Sequence, residues 1–474
     1  MTKKKRVFEE LELEIESIGF EGVAIARKDG VVHFVKNAVP GDTVRVNIKK
    51  KKKSYIETFF LELLNPSPLR ETPRCEHFGI CGGCTWQNLK YPEQIKWKRQ
   101  HVIDAFERLG KIPFGEMLET LPSPEIFHYR NKMDFSFASS RWLTDEEVAN
   151  SDEITNKTFA LGLHVPGRFD KVVEVNACHI QPKIGNRLLT EVRNKALEFG
   201  VTAFDARNFV GFLRSLIIRS TIAYNQNMVI LITKGNAESE AEIKFINWFE
   251  NDFPIEFPEF DNIIHAINST RSPVAIDSMK MIRGNGIIKE NILGEDYQIS
   301  PFSFFQTNAT QLNQFIGKII EFADLKESET VWDLYCGTGS ITLPASRKCK
   351  KIFGVELVES SILDAKINAE INKIDNAEFF CADLHNADIP ELLNTLPSPD
   401  CIIIDPPRAG VHNNLIEHIL KVNAPRLVYV SCNPATQARD CAELASQYKV
   451  VKVQPVDMFP HTYHVESIAL LERI

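Results

Sequence analysis

"TVWDLYCGTGSITLPAS", residues 330–346, passes from an apolar stretch into a glycine-bearing turn and then into helix-forming residues. A strand that is apolar at successive positions is buried on both faces, as in a parallel sheet flanked by helices. The pattern repeats. Residues 351–373, "KIFGVELVESSILDAKINAEINK", read as a second strand and helix, and 377–385, "AEFFCADLH", as a third strand that ends in an acid. "DCIIIDPPRAG" (400–410) and "RLVYVSCNPAT" (426–436) add two fully apolar strands. From about residue 291 the chain is expected to fold as an α/β domain. Ligands of such sheets bind outside the carboxyl ends of the strands, and these ends carry glycine or polar residues, so one site is expected there.

The glycine loop narrows the choice of ligand. Gly337 and Gly339 permit close backbone approach, but the third glycine of a dinucleotide fingerprint is missing, so a nucleoside without a pyrophosphate fits better. Glu356 is placed at the second strand end to hold two ribose hydroxyls, and Asp383 after the third to accept from an adenine amino group. S-adenosylmethionine carries all of these groups.

The chain has 474 residues, 44% of them hydrophobic, enough for two or three domains. No apolar run approaches the roughly 20 residues that span a bilayer, and "MTKKKRVFEELELEIE" turns acidic where a signal peptide needs an apolar stretch. A cytoplasmic location without membrane attachment is the expectation. Ten cysteines are too sparse for a disulfide scaffold, so any that cluster are expected to bind metal or react. The net charge of -8 is unevenly spread: residues 1–110 hold 20 Lys and Arg against 15 Asp and Glu, a net +5 that leaves -13 for the rest. Lys49 to Lys53 form an unbroken basic run suited to phosphate.

Around that run, short alternating β-prone stretches are separated by the turn signals "GFEG", "RKDG" and "VPGD". They predict a small five-stranded barrel over residues 1–65. Gly19, Phe20 and Gly22, with "AVPGDTV" after them, resemble the TRAM domain, an OB-like RNA-binding barrel. "NPSPLRETPRC" reads as a linker, followed by Cys75, Cys81 and Cys84 in "CEHFGICGGCTW". Cys178, in the polar turn "VNACHIQP", is the best fourth thiolate, and such a set suits zinc or an iron–sulfur cluster. Residues 66–290 are expected to form a central α+β domain. It would hold the amphipathic helix "YPEQIKWKRQHVIDAFERLG", its regularly spaced apolar positions turned to the core, and an antiparallel sheet from "HYRNKMDFSFA", "FALGLHVPG" and "LRSLIIRSTIAYNQNMVILIT". "TDEEVANSDEITN" (144–156) reads as an exposed acidic loop.

"SPFSFFQTN" (300–308), "DLYCGTG" (333–339), "DPPRAG" (405–410), "SCNPAT" (431–436) and "HVESIALL" (464–471) resemble, in order, the motifs of the RNA uracil-5 methyltransferases. The TRAM-like barrel and the four cysteines make the sequence most similar to the iron–sulfur members that act on 23S rRNA. The resemblance implies a Rossmann-like class I methyltransferase domain over 291–474 and a [4Fe-4S] cluster on Cys75, Cys81, Cys84 and Cys178. It implies a donor pocket from Gln306, Tyr335, Gly337, Gly339, Ser340, Glu356, Asp383 and Asp405. It also implies RNA, not DNA, as the partner of a monomeric enzyme, with transfer RNA as the alternative substrate.

Carbon 5 of uracil is too weakly nucleophilic to take a methyl group from a sulfonium directly. Adding a thiolate at carbon 6 first activates the ring, the role the resemblance gives to Cys432, and a base must then remove the carbon 5 hydrogen, the role it gives to Glu466. Asp405 would hold the uracil edge or the amino-acid end of the donor. The target base must be flipped out or already unstacked, with the aromatics of "SPFSFFQ" as stacking partners. A cytosine-5 RNA methyltransferase would use the same thiolate logic without a reason for Glu466. A noncatalytic RNA-binding factor would not need Gln306, Asp405, Cys432 and Glu466 in order. His461 and His464 are read as structural.

Overall fold

A computed structural model describes residues 9–150, 154, 156–272, 275–385 and 389–474. Its N-terminal part is a six-stranded sheet in the order Glu10–Glu14, Thr43–Lys51, Tyr55–Asn65, Val31–Val35, Ala24–Lys28, Ser17–Ile18. The two edge strands are separated only by Ile15 and Glu16, so one bent strand closes the sheet on itself and removes its free edges. Six strand segments therefore stand where five were expected. Small and β-branched side chains, Ala24, Ala26, Val35, Val44 and Val46, fill the interior.

The central sheet has seven strands, in the order Val172–Glu174, Ala160–His164, Lys132–Ala138, Leu213–Ser220, Asn227–Thr233, Asn262–Ile267, Ser278–Arg283. It is not wholly antiparallel as the sequence suggested: Asn227–Thr233 and Asn262–Ile267 run parallel. Their connection contains the helix Glu240–Asn251, which begins in a capping box between Ser239 and Glu242. The predicted acidic loop begins instead with a short helix, Asp145–Ala149, where Thr144 and Glu147 cap each other and Arg141 pairs with Glu147 at 2.6 Å. Residues 151–153 and 155 of that stretch lie outside the described residues.

The C-terminal sheet has eight strands, ordered Ala377–Cys381, Lys351–Glu356, Thr330–Leu334, Cys401–Ile404, Arg426–Ser431, Glu466–Arg473, Tyr448–Val456, Phe114–Met117. The first five are parallel, and Glu466–Arg473 runs antiparallel beside them. Alternate side chains enter two separate cores: Val331, Ile352, Ile403 and Val428 on one face, Trp332, Phe353, Ile402 and Leu427 on the other. Burial on both faces is why these strands are continuously apolar. The strand order reverses between Thr330–Leu334 and Cys401–Ile404, which opens a crevice at their carboxyl ends.

The segment grouped by sequence with the central domain divides in space. Phe114–Met117 pairs with Tyr448–Val456 as an edge strand of the C-terminal sheet, and Val102, Ala105 and Phe106 enter its core. The helix Tyr91–Asp104 buries Gln94, Lys98, His101 and Val102, so its inner face is largely polar, contrary to the apolar core face expected. Wider helical turns over Ala105–Gly110 extend it to a close crossing: a Cβ on Gly110 would lie 2.7 Å from the Ala438 carbonyl oxygen. Among the described residues no helix is long and apolar enough to cross a membrane.

Candidate active site

At the end of Thr330–Leu334 the chain turns sharply. Tyr335 adopts φ +67°, and the N–H groups of Tyr335 and Cys336 donate to the Val355 carbonyl. Gly337, at φ +55°, follows, and its N–H donates to Glu356 Oε2 at 3.2 Å while the Val358 N–H donates to Oε1 at 3.0 Å. Two amides thus aim the Glu356 carboxylate along the strand ends. The crevice holds a cavity of about 530 Å³, within the range of small-ligand sites. Gln306, Tyr335, Gly337, Ser340, Glu356, Asp383 and Asp405 all line it. Tyr335 brings a buried hydroxyl that has no partner among the described residues, a group suited to a bound ligand. Gly339 does not line the cavity. At φ +84° it forms the turn, where a Cβ would meet Leu343 at 3.4 Å and Ala365 at 3.6 Å.

Cys432, just past the end of its strand, and Glu466, at the start of the adjacent one, line the same cavity. Cys432 lies between the strand Arg426–Ser431 and the helix Pro434–Leu444, whose first turn is capped by Asn433. Asn433 Nδ2 and Thr436 Oγ1 both donate to the Arg408 carbonyl, binding the "DPPRAG" loop to that helix. The loop is held so closely that a Cβ on Gly410, at φ +85°, would lie 2.5 Å from Asp440 Oδ2. Glu466 opens the strand Glu466–Arg473 and is only 5% exposed.

Burial governs the electrostatics. It raises Asp405 to about 7. Burial and the neighbouring Asp405 raise Glu466 to about 8, with Arg408 opposing. The Cys432 thiol rises to about 11 through burial and then through Glu466 and Asp405, while Arg408 lowers it by charge and by a hydrogen bond. Arg408 is a residue the sequence did not single out: its motif is recognisable, but only the fold sets its charge against both Glu466 and Cys432. The two histidines separate. His464 lines the cavity and is driven down to about 4 by burial and by Arg408. His461 is tied away from the cavity, its N–H donating to Gln94 Oε1 at 2.9 Å.

Comparison with known proteins decides what this arrangement belongs to. The profile of the tRNA (Uracil-5-)-methyltransferase family matches residues 289–474, and that of the TRAM domain residues 4–57. An RNA methyltransferase of Bacteroides thetaiotaomicron, described as uncharacterized, is 43% identical over 454 residues, 95% of this chain and 99% of the relative. One of Porphyromonas gingivalis, described in the same way, is 37% identical over 469 residues, 97% and 99% of the two chains. The chain belongs to the RNA uracil-5 methyltransferase family. The crystal structure of Pyrococcus abyssi tRNA (uracil-54, C5)-methyltransferase in complex with S-adenosyl-L-homocysteine superimposes with a TM-score of 0.73 at 28% identity, covering 97% of this chain and 100% of that one.

Away from the cavity, Cys75, Cys81, Cys84 and Cys178 line one small pocket. Among the described residues, no three His, Cys, Asp or Glu side chains are grouped as a metal-ion site. The sulfurs nevertheless lie close enough to oppose one another's ionisation, and the Gly83 N–H donates to Cys81 Sγ at 3.4 Å. Burial pushes Cys81 up to about 11 and Cys84 to about 12. If ionised, four such sulfurs in so apolar a pocket would need a cationic centre among them, and the donor set is chemically suited to a metal or an iron–sulfur group.

Proposed function

We propose that this methyltransferase modifies carbon 5 of a uridine in 23S rRNA through a covalent link between Cys432 and carbon 6. The observation that carries the reading is the meeting of Cys432, Asp405, Arg408 and Glu466 in the cavity that Glu356 and Asp383 also line. Cys432 attacks as the thiolate, with Arg408 stabilising its charge, and the uracil ring becomes an enolate. S-adenosylmethionine, held by Gln306, Tyr335, Ser340, Glu356 and Asp383, supplies the methyl group to carbon 5. Glu466 in its ionised form then takes the carbon 5 proton, the carbon 6–sulfur bond breaks, and the thiolate leaves. Asp405, uncharged when protonated, is suited to donate to the uracil edge. Phe304, 66% exposed on the cavity rim, offers a stacking face.

In the same proposal Cys75, Cys81, Cys84 and Cys178 hold a [4Fe-4S] cluster with a structural role, since this transfer has no redox step. The domain limits 1–65, 66–290 and 291–474 stand as a proposal about the order of units along the chain. A second reading, transfer RNA as substrate, draws on the printed specificity of the Pyrococcus relative. Nucleoside mapping decides between them: 23S rRNA from cells lacking the gene should lose one 5-methyluridine while transfer RNA keeps its own. Loss confined to transfer RNA would select the second reading.

A further inference from the structure

The cavity has a neighbour. A hollow of about 130 Å³ meets it at Arg408, Cys432 and His464, which line both. Its remaining wall includes Phe20 and Glu21 of the N-terminal barrel together with Tyr463. A barrel that sequence suggests as a separate RNA grip therefore helps to build the surroundings of the reactive cysteine.

The barrel turn is fixed in place. Its backbone closes through Gly19 N–H to Val23 O at 2.8 Å and Gly22 N–H to Gly19 O at 3.1 Å. Trp86 Nε1 donates to the Gly22 carbonyl, and the His101 ring contacts the Ile18 carbonyl at 3.2 Å. A Cβ on Gly22, at φ +76°, would lie 2.9 Å from both Trp86 and Tyr463. Glu21 itself sits at φ +62°, a conformation unusual for a residue with a side chain. Thus anchored, Phe20 still leaves 47% of its surface exposed.

Resting on the function proposed above, we infer that this hollow is the subsite for the nucleotide adjoining the methylated uridine, its base stacked on Phe20 and Tyr463. RNA that places a uridine against Cys432 must continue through a neighbouring opening, and this one shares three residues with the cavity. Its chemistry matches: aromatic faces stack any base, and the Arg408 guanidinium suits the phosphate joining the two nucleotides. Glu21 presents a carboxylate that accepts from an exocyclic amino group, which favours adenine, cytosine or guanine over uracil there.

The test uses the full protein and total RNA from a strain lacking the gene, with labelled S-adenosylmethionine. If no uridine gains label, the proposed function falls and this inference with it. Where one does, a transcript carrying it is made with each neighbour replaced in turn by an abasic residue. Phe20→Ala should raise KM for the intact transcript about tenfold, the worth of one stacked base, with kcat within about a factor of two. One of the two abasic transcripts should show the same rise with the parent protein and no further rise with Phe20→Ala. Phe20→Trp should restore KM, and binding of S-adenosylmethionine should be unaltered throughout. Unchanged KM in Phe20→Ala, or effects that multiply on both abasic transcripts, would overturn the subsite. Glu21→Gln should erase the preference against uracil at that neighbour; a preference that survives removes Glu21 from the subsite.

Discussion

Lys98 and Asp457 form an ion pair with neither side chain exposed, Nζ lying 2.5 Å from Oδ1. Asp457 also accepts from the Tyr91 hydroxyl and the Phe459 N–H, and Lys98 donates to the Phe459 carbonyl. Two turns of one helix thereby hold the start of the segment that leads to His464 and Glu466. Gln94, on the same helix face, holds His461, and the N–H groups of Thr85 and Trp86, next to Cys84, donate to the His461 carbonyl. The cysteine loop and the proposed base are thus two short steps apart.

Lys98→Met is expected to cost about 3–5 kcal/mol, because it leaves the Asp457 carboxylate buried without its cation. Adding Asp457→Asn keeps an oxygen to accept from the Phe459 N–H and turns an amide N–H to the Tyr91 hydroxyl, which can accept it, while removing the charge, so the double variant should recover part of the loss. Thermal unfolding of the three proteins checks this; a double variant less stable than Lys98→Met would show that the charge is not the cause.

Cys432→Ala is expected to abolish methyl transfer while S-adenosylmethionine binds within about twofold of the parent. In the proposed site the half-buried thiol stands at the acceptor end, whereas Glu356, with its two amide donors, would hold the methyl donor. Calorimetric titration and a labelled-transfer assay separate the two effects. Measurable turnover without the thiol would exclude the covalent route.

The α/β half was legible because its physics is local. Strands buried on both faces must be apolar at every position, and the groups meeting a ligand must follow their carboxyl ends, so Asp405 and Cys432 stand out from the runs before them. The helix Tyr91–Asp104 was misread because its buried face is polar, and Lys98 is satisfied by Asp457, 359 residues away. No window of sequence carries that pairing. Phe114–Met117 is a strand only because Val450, Lys452 and Val453 offer it an edge, and four residues show no period of their own. Arg408 lay in a recognised motif, yet its proposed role depends on Cys432 and Glu466, which other strand ends supply.

Stability should depend on pH through Glu466. Burial lifts its folded value from 4.5 to about 8, so between those limits the folded protein retains a proton that the unfolded chain has released. Its contribution is complete below pH 4.5 and is lost as pH rises through 8. Glu466→Gln should therefore match the parent in melting temperature near pH 4.5 and exceed it progressively up to pH 9, by on the order of a few kcal/mol. A difference that does not grow with pH would mean that Glu466 is ionised throughout.

Protein purified without oxygen is expected to contain iron and acid-labile sulfide, with Cys81→Ser lowering both. Because Thr85 and Trp86 hold His461, loss of the centre should also expose the 457–465 segment, read as faster amide exchange there than in the strand Thr330–Leu334. Stoichiometric zinc without iron would overturn the cluster assignment, and unchanged exchange would uncouple it from the active site.

Glu466→Gln offers the most direct view of the proposed chemistry. The substitution keeps the length and hydrogen-bonding reach of the side chain but leaves it unable to take a proton. Thiolate addition and methyl transfer need only Cys432 and the donor, so both should proceed. Elimination cannot follow while the carbon 5 hydrogen has no acceptor, and of the two carboxylates buried beside Cys432, Glu466 and Asp405, Glu466 is the proposed base. The variant should therefore accumulate protein joined to methylated RNA, migrating slowly on a denaturing gel and carrying label from the methyl donor. Adding Cys432→Ala should remove the band, since the bond runs through that sulfur. Raising the pH should not release the RNA from Glu466→Gln, because glutamine has no ionised form to recover. Normal turnover with no retained RNA would assign the proton to another acceptor and leave Glu466 as a buried acid that tunes Cys432.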